Sequence, residues 1–278
     1  DMSTPIRSLD RLAVFLMLVL CASWGFNQIT AKIALADVPP LIQAATRSLG
    51  ATFVLGVIAW VREPRLFARD GSMPGGLLAG VLFGLEFVAI YIGLQWTTAG
   101  HATLFLYTAP FFVALGLLGL GPNERLTRLQ WIGMGLSFVG VALALGVSGT
   151  ISRDMLIGDL LCVLGGLGWA STTIVLKTTN LRNAPAIKVL LYQLFISSLG
   201  IGAAAFLMGE TWPTSVTTLR WFCMAYQTFW VVCVTFLTWF WLLGRYKAGE
   251  LSAFTFLTPV IGVFASAIVL NEPIGLQF

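Results

Sequence analysis

Two stretches of this chain share a pattern of small, hydroxyl and proline residues: AGHATLFLYTAP at 99–110 and AGELSAFTFLTP at 248–259, a shift of 149. The first holds the chain's only histidine, His101, and the second has Glu250 in its place. An imidazole can take or release a proton near neutral pH. His101 is therefore a candidate gate or proton relay, with an interfacial polar residue as the plainer reading. A carboxylate in the first turn of a helix gains about 0.3–1 kcal/mol from the macrodipole, and Glu250 needs no further reason. Pro110 and Pro259 each remove one backbone donor, so each is expected to kink its helix, as a gating hinge or as a bend absorbed by neighbours.

Polar groups inside apolar segments are costly and mark function. Glu86 lies mid-way along the apolar run 76–96, and Arg47 lies within 41–61. At 1.5 Å per residue, Arg47 sits about 10 Å and Glu86 about 13–15 Å below the same membrane boundary. They could form an ion pair, or Glu86 could bind a substrate ammonium or a proton. Trp24, Trp169 and Trp230 lie mid-span, whereas the other tryptophans, Trp239 among them, lie toward span ends as an interfacial belt requires. Trp24 and Trp169 are expected to face each other, with Asn27, Thr172 or Thr173 available to the indole N–H. Tyr107 and Ser252 are further lining candidates, with Tyr91, Gln95 and Thr255 behind them. Nothing in these residues forms a nucleophile, a paired-carboxylate or a metal-ligand constellation, so no catalytic residue, metal or cofactor is expected; an intramembrane enzyme or a scaffold is the reading from another class.

The elements that position these residues are plain from composition. The chain is 58% hydrophobic and 10% charged, with a mean hydropathy of +0.89, where soluble domains are about 25% charged. A helix needs roughly 20 apolar residues to cross a bilayer. Nine such runs occur: 12–30, 41–61, 76–96, 100–120, 129–147, 157–177, 187–208, 219–243 and 250–270. Polar Asn27, Gln28, Thr30 and Lys32 separate the first run from a small-residue site at 34–36, so a cleaved signal peptide is not expected. Twelve Lys and Arg residues fall in loops on the N-terminal side, against Lys32, Arg153 and Arg220 on the other, which puts the N-terminus in the cytoplasm. This asymmetry accounts for the net charge of +4 without a nucleic-acid partner. The four cysteines all fall within spans, as small apolar packing groups.

The repeated dodecamer belongs to a longer duplication. WGFNQITAK at 24–32 matches WASTTIVLK at 169–177 at a shift of 145, which also carries Pro40 onto Pro185, and Asn123-Glu124 recurs as Asn271-Glu272. Two units follow, 1–150 and 151–278. Five spans being an odd number, the second unit enters from the opposite side, and such inverted repeats place a substrate site between the halves in secondary transporters.

With these duplicated motifs the chain resembles the EamA-type branch of the drug/metabolite transporter superfamily over its full length. Its aromatic residues look closest to the YddG-type exporters of aromatic and other neutral amino acids within it. That resemblance implies an all-α polytopic protein of ten helices, a bacterial inner-membrane location, and a small-molecule substrate moved through a central cavity. Nine helices are visible, and only six residues follow Glu272, so the natural protein is expected to continue. A multidrug or sugar-phosphate transporter is the alternative within the same fold. Oligomeric state is not legible.

Overall fold

Each apolar run folds into a helix because hydrocarbon offers no partner to a backbone N–H or C=O, and only a helix satisfies both within one segment. A computed structural model describes residues 7–63, 66, 68–120, 126–146 and 152–272. Asn123 and Glu124 of the repeat, and everything after Glu272, lie outside them. Among the described residues are nine long helices: α1 Arg11–Ala34, α2 Pro40–Arg62, α3 Met73–Trp96, α4 Ala99–Leu117, α5 Arg128–Gly146, α6 Arg153–Thr178, α7 Ala186–Leu207, α8 Thr218–Leu243 and α9 Ala248–Leu270. All but α5 also meet the length and hydropathy of a membrane span. Side chains cap four starts: Asp10 accepts from Ala13 N (2.9 Å), Thr98 from His101 N (3.1 Å), Thr127 from Gln130 N (3.3 Å) and Ser152 from Met155 N (3.1 Å).

The two dodecamers end in interrupted helices. α4 breaks into Ala99–Leu106 and Ala109–Leu117, and α9 into Ala248–Phe254 and Leu257–Leu270. Both breaks lie within the turn before Pro110 and Pro259, where the missing N–H leaves a carbonyl without its helical donor. Threonine hydroxyls tie down the ends of the first pieces: Thr108 Oγ1 donates to Phe105 O (2.7 Å) and Thr255 Oγ1 to Ser252 O (2.6 Å). The broken helices run side by side, the first piece of each against the second piece of the other.

The halves interlock. α3 packs along α6 and α7, α2 along α7, and α1 along the second piece of α9. Small residues make the approach possible: a Cβ on Gly80 would stand 2.6 Å from Ile196 Cβ, and one on Gly158 would stand 2.8 Å from Gly93 O. α8 departs from its counterpart α3 by winding as a π-helix over Tyr226–Phe236. That stretch is tied to α1 by Trp24 Nε1 donating to Thr235 Oγ1, Trp230 Nε1 to Ser23 Oγ, and Tyr226 Oη to Ser23 O, each at 2.9 Å. Outward faces carry large apolar side chains such as Phe53 (73% exposed), Leu129 (78%) and Phe206 (82%), as a lipid-facing surface requires and an aqueous one does not.

Between α2 and α3, Asp70 accepts from Ser72 Oγ (2.5 Å) and from Lys188 Nζ at the start of α7 (2.8 Å). The lysine, followed by Ser72, holds the Asp70 carboxyl well below the usual carboxylate range. A carboxyl depressed in the fold stabilises it at pH above its unfolded value, and that contribution is lost as pH falls through the depressed one. Asp70→Asn is therefore expected to melt below the parent protein in detergent at pH 7, and the gap is expected to narrow below about pH 4; a gap independent of pH would contradict this.

Candidate substrate cavity

The first helix of each half supplies one tryptophan to the centre. Trp24 of α1 and Trp169 of α6 meet edge to face with centroids 5.9 Å apart. Trp239 of α8 completes the group at 5.4 Å from Trp24 and 5.8 Å from Trp169, and Tyr107, at the break in α4, stands 5.3 Å from Trp169. Edge-to-face pairs of this kind contribute about 0.5–1.5 kcal/mol each beyond area burial. The loosened backbone before Pro110 thus sets Tyr107 against the tryptophans.

Beside this cluster lies a cavity walled by Trp24, Asn27 and Gln28 of α1; Phe83, Glu86, Phe87 and Ile90 of α3; Leu106 and Tyr107 of α4; Trp169, Thr172 and Thr173 of α6; Gln193 of α7; and Phe236, Trp239 and Phe240 of α8. Its free volume is about 60 Å³, far below the roughly 300–1,000 Å³ of ligand pockets. Among the described residues, Glu86 is the only charged group in its wall. Asn27 Oδ1 and both amide atoms of Gln193 are buried without a hydrogen-bond partner, so the wall offers neutral polar groups as well as aromatic faces.

Six residues singled out in the sequence line the cavity: Trp24, Asn27, Glu86, Tyr107, Trp169 and Thr173. Trp230 does not. It is 41% exposed and its indole donates to Ser23 instead; its repeat counterpart on α3, Val81, is turned outward too, at 51% exposed. Ser252 is buried yet outside the wall, as are Thr255 and Tyr91, whose hydroxyl donates to Gln227 Oε1 (2.5 Å), while Gln95 is exposed. The indole of Trp24 donates to Thr235 rather than to Asn27, Thr172 or Thr173. Trp239 belongs to the centre and not to an interfacial belt. The repeat holds the signal for it: a shift of 149 carries Phe87 onto Phe236 and Ile90 onto Trp239, and all four line the cavity.

Arg47 and Glu86 do not form an ion pair, although each feels the other's charge. The guanidinium is 1% exposed and none of its three nitrogens has a hydrogen-bond partner. It lies 3.9 Å over the Phe87 ring, and 5.4 and 5.8 Å from the centroids of Tyr91 and Phe236. Stacking on a ring is worth about 2 kcal/mol at best in dry surroundings, whereas removing an ion from water costs several kcal/mol. The stack leaves that cost largely unmet.

Residues at the starts of α4 and α9 make matching contacts with the other half. At the end where α4 begins, Thr97 Oγ1 donates to Asp159 Oδ1 of α6 (2.5 Å), and His101 Nδ1 stands 2.9 Å from Asp159 Oδ2. His101 is thus buried in a contact between halves and is not an interfacial residue. At the end where α1 begins, the repeat counterparts of Thr97 and His101 are Tyr246 and Glu250. Tyr246 Oη donates to Asp10 (2.8 Å), and Glu250 accepts from Leu9 N (3.1 Å) and Ser8 Oγ (3.4 Å). In both places residues around the start of α4 or α9 grip the opening of the other half's first helix. Counterpart lysines brace them from behind: Lys32 Nζ donates to Thr97 O (2.6 Å) and Lys177 Nζ to Tyr246 O (3.4 Å). Glu272 adds a second hold on the α4 end by accepting from Ala99 N (2.8 Å) and Gly100 N (3.0 Å).

Among solved structures, one superposes with a TM-score of 0.76 at 15% identity over 96% of this chain and 92% of its own, which shows the fold. The chain is 30% identical to the "Uncharacterized transporter YvbV" of Bacillus subtilis (strain 168), covering 94% of this chain and 85% of the relative. It is 28% identical to a "Probable amino-acid metabolite efflux pump" of Escherichia coli (strain K12), covering 95% and 89%. The model of the EamA-like transporter family matches twice, over residues 11–146 and 156–278. A duplicated bundle with matching contacts between its halves and one aromatic cavity is therefore a transporter scaffold, and the chain belongs to the EamA-like transporter family.

Proposed function

We propose that this chain is a secondary exporter of small amphipathic metabolites, aromatic and other neutral amino acids foremost, in the bacterial inner membrane with its N-terminus in the cytoplasm. Its units 1–150 and 151–278 act as inverted repeats around the central cavity. The observation that carries this reading is the cavity wall: three tryptophans and several further aromatic rings beside one carboxylate, Glu86, and neutral amides. The rings suit an apolar side chain, Glu86 suits an ammonium group, and the amides suit what remains of a small polar head. The Escherichia coli relative's printed name supports the same substrate class.

Transport then works by alternating access. Both contacts are made in this conformation and the cavity is narrow, so loading requires one grip to release while the other holds. Pro110 and Pro259 bring flexibility to the helices that carry the grips, which makes them hinge candidates beside His101. A second reading, efflux of amphipathic cations, is favoured by Glu86 being the only charged group in the wall among the described residues. Phosphorylated sugars are disfavoured because no Lys or Arg among those residues lines the cavity.

In proteoliposomes, labelled phenylalanine, tryptophan and leucine are expected to exchange faster than in empty vesicles. Trp169→Ala, which removes edge contacts to Trp24, Tyr107 and Trp239, is expected to lower that flux about tenfold or more, and Glu86→Gln is expected to lower it too. No amino-acid flux in the parent protein would sink the proposal, and flux of amphipathic cations alone would replace it with the second reading. Loosening one end tests the gripping device: with the native cysteines replaced and Thr173→Cys as reporter, Asp159→Ala is expected to speed labelling by an impermeant maleimide from the His101 face only. Equal rates with and without Asp159→Ala would remove the gate assignment.

A further inference from the structure

Arg47 has no role in the cavity as described so far. It sits on α2 one turn after Gln43, on the same face of the helix, with Ser48 next to it in sequence. All three are buried, at 0%, 1% and 0% exposure for Gln43, Arg47 and Ser48. Gln43 Oε1, the guanidinium nitrogens and Ser48 Oγ have no hydrogen-bond partner, and neither does the amide of Gln193 on α7, the helix packed along α2. The fork of an arginine presents its donors in the geometry of a carboxylate, and here the fork is free.

What separates this fork from the cavity is one layer of aromatic side chains. Phe87, 3.9 Å beneath the guanidinium, and Phe236, at 5.8 Å, both belong to the cavity wall. Glu86 precedes Phe87 in sequence and faces the cavity. An unanswered cation and an unanswered anion thus flank one removable ring, within reach of each other's field but not bonded. Arg47 and Glu86 carry the two charges of an α-amino acid head group in complementary form.

Resting on the amino-acid reading above, we propose that Arg47 is the carboxylate site of the transport cavity: displacement of the Phe87 ring lets the substrate carboxylate reach the guanidinium, while Glu86 holds the ammonium and the tryptophans hold the side chain. The class recognised is the intact zwitterion. Arg47 then discriminates against amides, esters and decarboxylated amines of the same side chain, which Glu86 and the aromatic wall alone would accept.

The experiment compares phenylalanine with phenylalaninamide and phenethylamine in proteoliposomes of the parent protein, Arg47→Gln and Arg47→Lys. The parent is expected to move phenylalanine about tenfold or more faster than either analogue, the scale of a lost charge-assisted pair. Arg47→Gln is expected to bring phenylalanine down to the analogue rate while leaving the analogues unchanged, and Arg47→Lys to fall between, since it keeps the charge and loses the fork. Equal transport of acid and analogues by the parent overturns the carboxylate site while leaving an amino-acid transporter standing, and it does so even if the variants do not fold. Equal loss of all three compounds in folded Arg47→Gln assigns the residue a structural role and overturns it as well. Absence of any phenylalanine flux in the parent, with or without flux of the amines, removes both this site and the reading on which it rests.

Discussion

Hydrocarbon gives no hydrogen bonds, so every polar atom at the centre of this bundle must be met by another part of the protein or by what passes through it. Most of the structure follows from how that demand is met. Hydroxyls of Thr108 and Thr255 tie down the ends of the first pieces of α4 and α9. Lys32 spends its ammonium on two carbonyls at the end of α3. Trp24 and Tyr91 reach α8 to place an N–H and an O–H. The demand is left open at several places, Asn27 and Gln193 in the cavity wall and Arg47 behind it among them, and buried polar groups left without partners are uncommon enough to call for a reason.

Duplication explains why one solution serves two ends. A segment that holds the start of the opposite half's first helix recurs in both copies and makes the same contact twice. The two copies have diverged in chemistry while keeping their reach: threonine and histidine meet Asp159 at one end, tyrosine and glutamate meet Asp10 and the backbone before it at the other. Reach is set by backbone register, which the shift of 149 preserves; the head group is set by what it finds there. This is why His101 and Glu250, unlike as acids and bases, occupy the same structural position.

Helix positions were legible throughout because runs of about 20 apolar residues have one outcome in a bilayer. Mid-span polarity picked out Glu86, Asn27 and Thr173, and mid-span aromaticity picked out Trp24 and Trp169, since both argue from the cost of placing a group at depth. Counting from span ends failed for Trp239, which is near the end of α8 and still central, and for Trp230, because depth along a helix does not fix which way a side chain points: Trp230 and its counterpart Val81 are both turned outward. Asp159 was available to the rule that found Glu86, as a carboxylate inside the run 157–177. Ion pairing was the expectation least open to sequence: equal depth placed Arg47 and Glu86 in one layer, but depth says nothing about which way around a helix each side chain points.

The two contacts also differ in wetness. His101 and Asp159 have side chains 10% and 7% exposed, whereas at the other end Glu250 is 18% exposed and its partner Ser8, like Asp10, lies exposed. Parting half of a dry contact strands a charge or a donor without water, so such a contact opens all at once or not at all. A wet contact can loosen bond by bond as solvent steps in. The α4 end is therefore the drier and more all-or-none of the two contacts, and the α1 end the more yielding.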